Sequence, residues 1–233
     1  METRAEVDRL RRVYRGYTAG GYERSKWLDA NKGNQAIRHE RELETRKLLQ
    51  QAGLLPLGDR RILDIGCGTG EQLAVFANWG ARPQNLFGVD LMPERVRAAQ
   101  LKFPQITFQL ANAEALPFRD GSFNIVAALT VFTSILDQQM RGNICREIER
   151  ILVPGGGVLW YDFRINNPLN QHVRGVSRKQ IQRLFPDFRM TLKTISLLPP
   201  LARRLGLLTD RLYAPLRSLP FLRTHLLGLL IKP

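Results

Sequence analysis

Cysteine and histidine are scarce in this 233-residue chain, with two of the first and three of the second. Cys67 and Cys145 cannot build a disulfide framework, which points to a reducing compartment. His39, His172 and His225 are scattered and offer no metal cluster. Long apolar runs are missing too, since stretches such as LLGLLI at 226–231 fall far short of the ~20 residues a membrane span needs. The opening METRAEVDRLRRVYRGY is charged where a signal peptide would be apolar. The expectation is a cytoplasmic protein that crosses no bilayer. No repeat or low-complexity tract interrupts the chain, its 44% hydrophobic residues can bury a full core, and its length favours one domain.

Acids are scarce in one place. Residues 163–233 hold thirteen Lys and Arg against two Asp and Glu, whereas 1–61 hold fourteen against nine and 62–162 eight against ten. Most of the net charge of +14 therefore sits in the last third. A basic tail suits an anionic partner, whether nucleic acid, acidic substrate or the headgroups of an inner membrane surface contacted peripherally. It equally suits solvated arginines that keep a leucine-rich region in solution.

What is present is an alternation. Residues 34–52 predict a helix ending at Gly53. The runs RILDI, NLFGVDL, ITFQLANA, FNIVAALTV and VLWYDF predict five strands, with helices over EQLAVFANWGA, PERVRAAQLKF and 137–152 between them. Such alternation argues a doubly wound parallel sheet, and the continuous apolar IVAALTV suits a strand covered on both faces. Beyond Phe163 the alternation breaks down. FRMTLKTISL and RTHLLGLLIK predict strands, while 199–220 carries Leu201, Leu205, Leu208 and Leu212 at helical spacing.

The first strand runs into ILDIGCGTGEQ at 62–72. In a doubly wound sheet, ligands bind at the carboxyl ends of the strands where strand order reverses. A dinucleotide fingerprint counted from Gly66 puts Glu71 at its last position, where an acid at the helix mouth would repel a pyrophosphate. S-adenosylmethionine has no phosphate and carries a sulfonium and an ammonium, and Asp64 and Glu71 beside close-approach glycines suit that charge pattern. Asp90 ends the second strand about 20 residues on, where an acid accepts hydrogen bonds from ribose hydroxyls.

ILDIGCGTG, VDL with Asp90, NAEALPF at 112–118 and PGGGVLWYDF at 154–163 together resemble the class I S-adenosylmethionine-dependent methyltransferases. The resemblance implies an α/β fold: a doubly wound, mostly parallel seven-stranded Rossmann-like sheet with helices on both faces and RTHLLGLLIK as its antiparallel last strand. One domain would comprise a helical cap or lid at 1–55, a cofactor core at 60–163 and a substrate-side part at 164–233 with a helical insertion at 199–220. S-adenosylmethionine is the implied cofactor and S-adenosylhomocysteine its product. Gly66, Gly68 and Gly70 would lie along the methionine moiety, with Asp64 at its ammonium. Asp90 would hold the ribose and Leu91 pack on the adenine. Asn112, Ala113 and Glu114 would border the base, and Leu129 would face the cofactor. The family usually has Asp where Asn112 stands, and the Asn side-chain oxygen still accepts. Cys67 occupies a position where a small buried residue suffices, so it is not taken as a nucleophile.

For the acceptor, the sequence offers Thr133 and Ser134 after strand four and a polar loop at 161–175 after strand five. His172 is the best base by intrinsic pKa, with Asp162 second. Arg164, Asn167 and Arg174 are candidate substrate contacts, and Tyr14, Tyr17 and Tyr22 candidate lid residues. On a helix over 199–220, Arg204 and Arg211 lie off the leucine stripe, so the segment would form a lid whose arginines orient an anionic acceptor. Nucleic acid is argued against, because no Pro-Cys nucleophile follows strand four and no RNA-binding module is appended. More narrowly, the tail resembles the small methyltransferases of bacterial surface-polysaccharide and secondary-metabolite pathways. The expected reaction is O-methylation of a small-molecule or glycan acceptor by in-line displacement. The alternative is a catalytically poor cofactor-binding or membrane-surface protein whose Leu/Arg tail docks on anionic lipid. The sequence leaves oligomeric state open.

Overall fold

Near-continuous apolar runs build one sheet with two buried faces. The computed structural model describes residues 2–19, 30–168 and 170–233. In chain order these form α1 (Glu2–Ala19), α2 (Lys32–Gln51), β1 (Ile62–Ile65), α3 (Glu71–Asn78), β2 (Leu86–Asp90), α4 (Pro93–Lys102), β3 (Thr107–Leu110) and β4 (Phe123–Leu129). There follow α5 (Gln138–Ile151), β5 (Leu152–Phe163), α6 (Arg178–Leu184), β6 (Arg189–Leu197), α7 (Pro199–Arg204), α8 (Thr209–Ser218) and β7 (Arg223–Ile231). Helix starts obey local chemistry. Pro93 opens α4, the Asp137 carboxylate caps α5 through Met140 N, and a Ser177–Gln180 capping box starts α6.

The strand order is β3-β2-β1-β4-β5-β7-β6. Pairs from β3 to β5 are parallel, and β7 runs antiparallel to both β5 and β6. This is the expected α/β sheet, with the last strand antiparallel. The apolar run in β4 divides as predicted for a strand covered twice: Val126 and Ala128 pack with α1, α5 and α6, Ile125 and Ala127 with α2, α3 and α4. Val158 and Trp160 against Leu159 and Tyr161 repeat the division in β5.

Two details differ from expectation. β5 begins at Leu152, six residues before the expected VLWYDF, and takes in PGGG as an irregularity where pairing with β4 shifts between Phe123 and Ile125. The 199–220 stripe is not continuous, because Gly206 at φ +53 and a 3-10 turn at Gly206–Leu208 separate α7 from α8. Leu201 and Leu205 pack against α2 with Ile37, while Leu208 and Leu212 are exposed. Since β6 and β5 are both antiparallel to β7, this insertion leaves the sheet at the carboxyl edge where β1 and β4 also end.

Candidate functional site

Strand order reverses between β1 and β4, and a cleft of about 760 Å³, counting its open mouth, lies there. Its floor is the strand ends: Ile65 and Gly66 after β1, Asp90 and Leu91 after β2, Leu129 and Thr130 after β4. Asn112 and Ala113, just past β3, form one wall. Leu10 and Tyr14 of α1 form a roof, and Val131, Ser134 and Ile135 of the β4–α5 loop complete it.

The glycine turn is built around Asp90. One carboxylate oxygen accepts from Gly68 N at 2.9 Å, the other from Met92 N at 2.9 Å. Burial raises the Asp90 pKa, while these two amides and Arg95 oppose the rise. Gly66, Gly68 and Gly70 have φ of +67, +55 and +90, a region that favours glycine. They differ in surroundings. A Cβ on Gly70 would stand 2.7 Å from the Phe108 ring, so that glycine serves helix-to-strand packing, whereas a Cβ on Gly68 would meet nothing within 4 Å. Gly68 and Gly70 themselves lie outside the cleft lining.

Asp64, on the α2 side of β1, is 3% exposed, and no hydrogen-bond donor among the described residues reaches its carboxylate. Burial, reinforced by Asp90 and opposed by Arg41, pushes its pKa up to about 8. A buried carboxyl of this kind suits a cation. Glu71 does not share the role expected of it, because it accepts from Thr69 Oγ1 at 2.7 Å and from Lys102 at 2.8 Å, away from the cleft. Asn112 Oδ1 takes the Glu114 amide, and Glu114 is held by Asn112 and Asn143, leaving its carboxylate outside the lining. Burial raises the Cys67 thiol pKa, consistent with a packing residue beside Gly88.

Sequence reasoning found the floor better than the roof. Its cofactor residues Gly66, Asp90, Leu91, Asn112, Ala113 and Leu129 come together at the cleft, and so do Tyr14 and Ser134. Tyr14 Oη lies 2.9 Å from Ser134 Oγ, and burial raises its pKa, so the phenol stays protonated. Tyr17 turns instead to the loop after β5, accepting from Asn170. Tyr22 lies outside the described residues.

The acceptor-side expectations fare differently. Asp162 is fully buried, its carboxylate accepting from Thr133 N and Phe163 N, both at 3.0 Å; burial pushes its pKa up to about 7. It fixes the β4–α5 loop from beneath, away from the cleft. His172 lies in the loop after β5, its amide bonded to Asn170 Oδ1, and does not line the cleft. Arg164 is committed to the carbonyls of Arg223 and Pro220, tying β5 to the start of β7. Exposed Asn167 and Arg174 stand outside the cleft too. Arg204 and Arg211 project from α7 and α8, which pack on α2 and do not roof this cleft.

Arg95 was missed. In the first turn of α4, its guanidinium lies 4.5 Å from the centre of the Tyr14 ring and acts electrostatically on Asp90. Its position five residues past Asp90, at the start of a helix rising from a strand end, is the signal that would have found it. Thr130 has φ +58, which is strained for a β-branched residue and invisible in sequence.

Residues 62–156 match the family model described as a methyltransferase domain. The cofactor core is thus similar to methyltransferase domains. The domain resembles 27-O-demethylrifamycin SV methyltransferase of Amycolatopsis mediterranei, with 35% identity over 130 residues, 52% of this chain and 46% of the relative. It also resembles an O-methyltransferase of Penicillium expansum, with 29% identity over 69% of this chain and 56% of the relative. The chain spans about half the length of these curated relatives. A TehB-like S-adenosylmethionine-dependent methyltransferase from Corynebacterium glutamicum shares the fold, with TM-score 0.58 and 15% identity over 98% of this chain and 99% of that one.

Proposed function

We propose that this methyltransferase domain binds S-adenosylmethionine at the β1–β4 cleft and methylates an oxygen of a small organic acceptor. The observation that carries the reading is the convergence there of Gly66, Asp90, Leu91, Asn112 and Ala113 from three separate stretches; buried Asp64, outside the lining, is close enough to Asp90 to feel its charge. Asp90 would hold the ribose, Asn112 and Ala113 border the base, and Asp64 meet the ammonium. When bound, the cofactor supplies an electrophilic methyl group; the chain's own part is to align the acceptor and exclude water. Leu10 and Tyr14 exclude water from above, and the Tyr14–Ser134 hydroxyl pair orients the acceptor oxygen.

The relatives' names support oxygen as the methylated atom. The lining narrows the acceptor further. Among the described residues it offers one carboxylate, Asp90, already engaged, and it is otherwise mostly apolar. With no side chain there suited to strip a proton from a sugar alcohol, the acceptor is a hydroxyl acidic enough to ionise by itself, such as a phenol. Calorimetric titration with S-adenosylhomocysteine tests the site. Asp90→Ala removes a charged acceptor worth roughly 1.5–3 kcal/mol, so affinity should fall about tenfold to a hundredfold. Unchanged affinity overturns the assignment. A screen in which sugars are methylated and phenols are not overturns the acceptor class alone.

A further inference from the structure

The segment between β6 and β7 gives α8 two apolar faces. Tyr213 and Leu216 face inward, packing with Ile37 of α2 and Leu197 of β6. Leu208, Leu212, Pro215 and Leu219 are spaced i, i+4, i+7 and i+11, so they share one stripe of the same helix and its caps, about 100° round the axis from the inward pair. All four are exposed. At the ends of the stripe, Leu207 is 85% and Phe221 72% exposed. A lone exposed leucine needs no explanation, but six large or cyclic apolar residues bared within fifteen positions do.

We infer that this face is an interfacial anchor for an anionic lipid surface. Charge selects the occupant. Arg217 is spent on Glu40, and Arg223 on the carbonyls of Arg217 and Ser218. Arg204 and Arg211 are exposed with no acidic partner among the described residues, and the segment's one acid, Asp210, answers Lys32. Leucines at the boundary of headgroups and acyl chains, with arginines at the phosphates, are the chemistry of a helix lying in a membrane surface. A second copy docked about a two-fold axis would instead set this basic face against itself, like charge against like. The thirteen basic residues against two acids over 163–233 add to the attraction. The inference does not depend on the methyl-transfer reading, since no residue of the insertion lines the cleft.

The test is co-sedimentation of the full chain with vesicles of phosphatidylcholine, alone or with about one-third phosphatidylglycerol, at low and high salt. Binding should require the anionic lipid and weaken with salt. The double variant Arg204→Gln/Arg211→Gln should bind about thirtyfold more weakly, and Leu208→Ser/Leu212→Ser/Phe221→Ser at least about tenfold more weakly. Both variants should melt cooperatively near the parent's melting temperature, which shows that they are folded. The inference is overturned if the parent ignores anionic vesicles, or if both variants sediment as it does. Sedimentation velocity showing a dimer that the leucine variant abolishes also overturns it, in favour of self-association.

Discussion

Asp64 makes the sharpest prediction at the scale of one residue. Its carboxyl, ordinarily near 3.8, is raised to about 8 by burial, with Asp90 adding to the rise. Between those values the folded protein holds a proton that the unfolded chain has released. Stability from this group therefore falls as pH rises through the window. Asp162, raised to about 7, acts with the same sign. A bound ammonium needs the carboxylate, so binding must expel the Asp64 proton. S-adenosylhomocysteine affinity should climb toward about tenfold per pH unit below pH 8 and level off near it. Calorimetry in buffers of different ionisation enthalpy should record the released proton. Asp64→Asn should remove both the pH dependence and the proton. A flat profile for the parent would mean that Asp64 does not face the ligand's charge.

Among the elements, α1 is the one held by few contacts. Glu6 latches it to the β4–α5 loop, accepting from Leu136 N at 2.6 Å and from Nε and Nη2 of Arg9 at 2.7 and 2.8 Å, while Arg9 Nη2 also donates to Ser134 O. Burial works against the charge on Glu6, but Arg9 and the Leu136 amide outweigh it and hold the pKa below the usual range. The latch therefore holds above the ordinary glutamate range and is lost as pH falls through the lowered value. Glu6→Ala should strip amide-exchange protection from residues 2–17 while sparing the sheet, and speed ligand dissociation about tenfold. Equal protection in both proteins would show that α1 is held otherwise. The element pattern itself was legible through β5 and again at β6 and β7, because strand runs, helix formers and turns there follow local periodicity; the broken helices between β6 and β7 were not. Glu6, Leu10, Tyr14 and Tyr17 share a helical face that could have been phased from sequence. Their partner loop lies over a hundred residues away, which periodicity cannot reach. The same limit explains His172 and Arg164: a polar loop reads alike whether its side chains face a ligand or neighbouring carbonyls.

At the scale of the molecule, Glu40 joins α2 to the C-terminal half. It accepts from Tyr213 Oη at 2.6 Å, from Arg217 at 3.0 Å and from Ser196 N at 3.2 Å. Ser196 has φ +63 and bonds Tyr161 Oη, so the acid also steadies a strained point in β6. Glu40→Ala leaves those donors unpaired at about 2–3 kcal/mol, and the melting temperature should fall by roughly 4–12 °C. A calorimetric scan that leaves the midpoint in place would show the junction to be redundant. The junction joins halves with different burdens. Apart from α1, the cleft draws its lining from residues 65 to 144, and the family match spans 62–156. Everything from β5 onward supports the site without touching it. A chain divided in this way can trade its last third for another of equal fit and leave the lining of its cleft untouched.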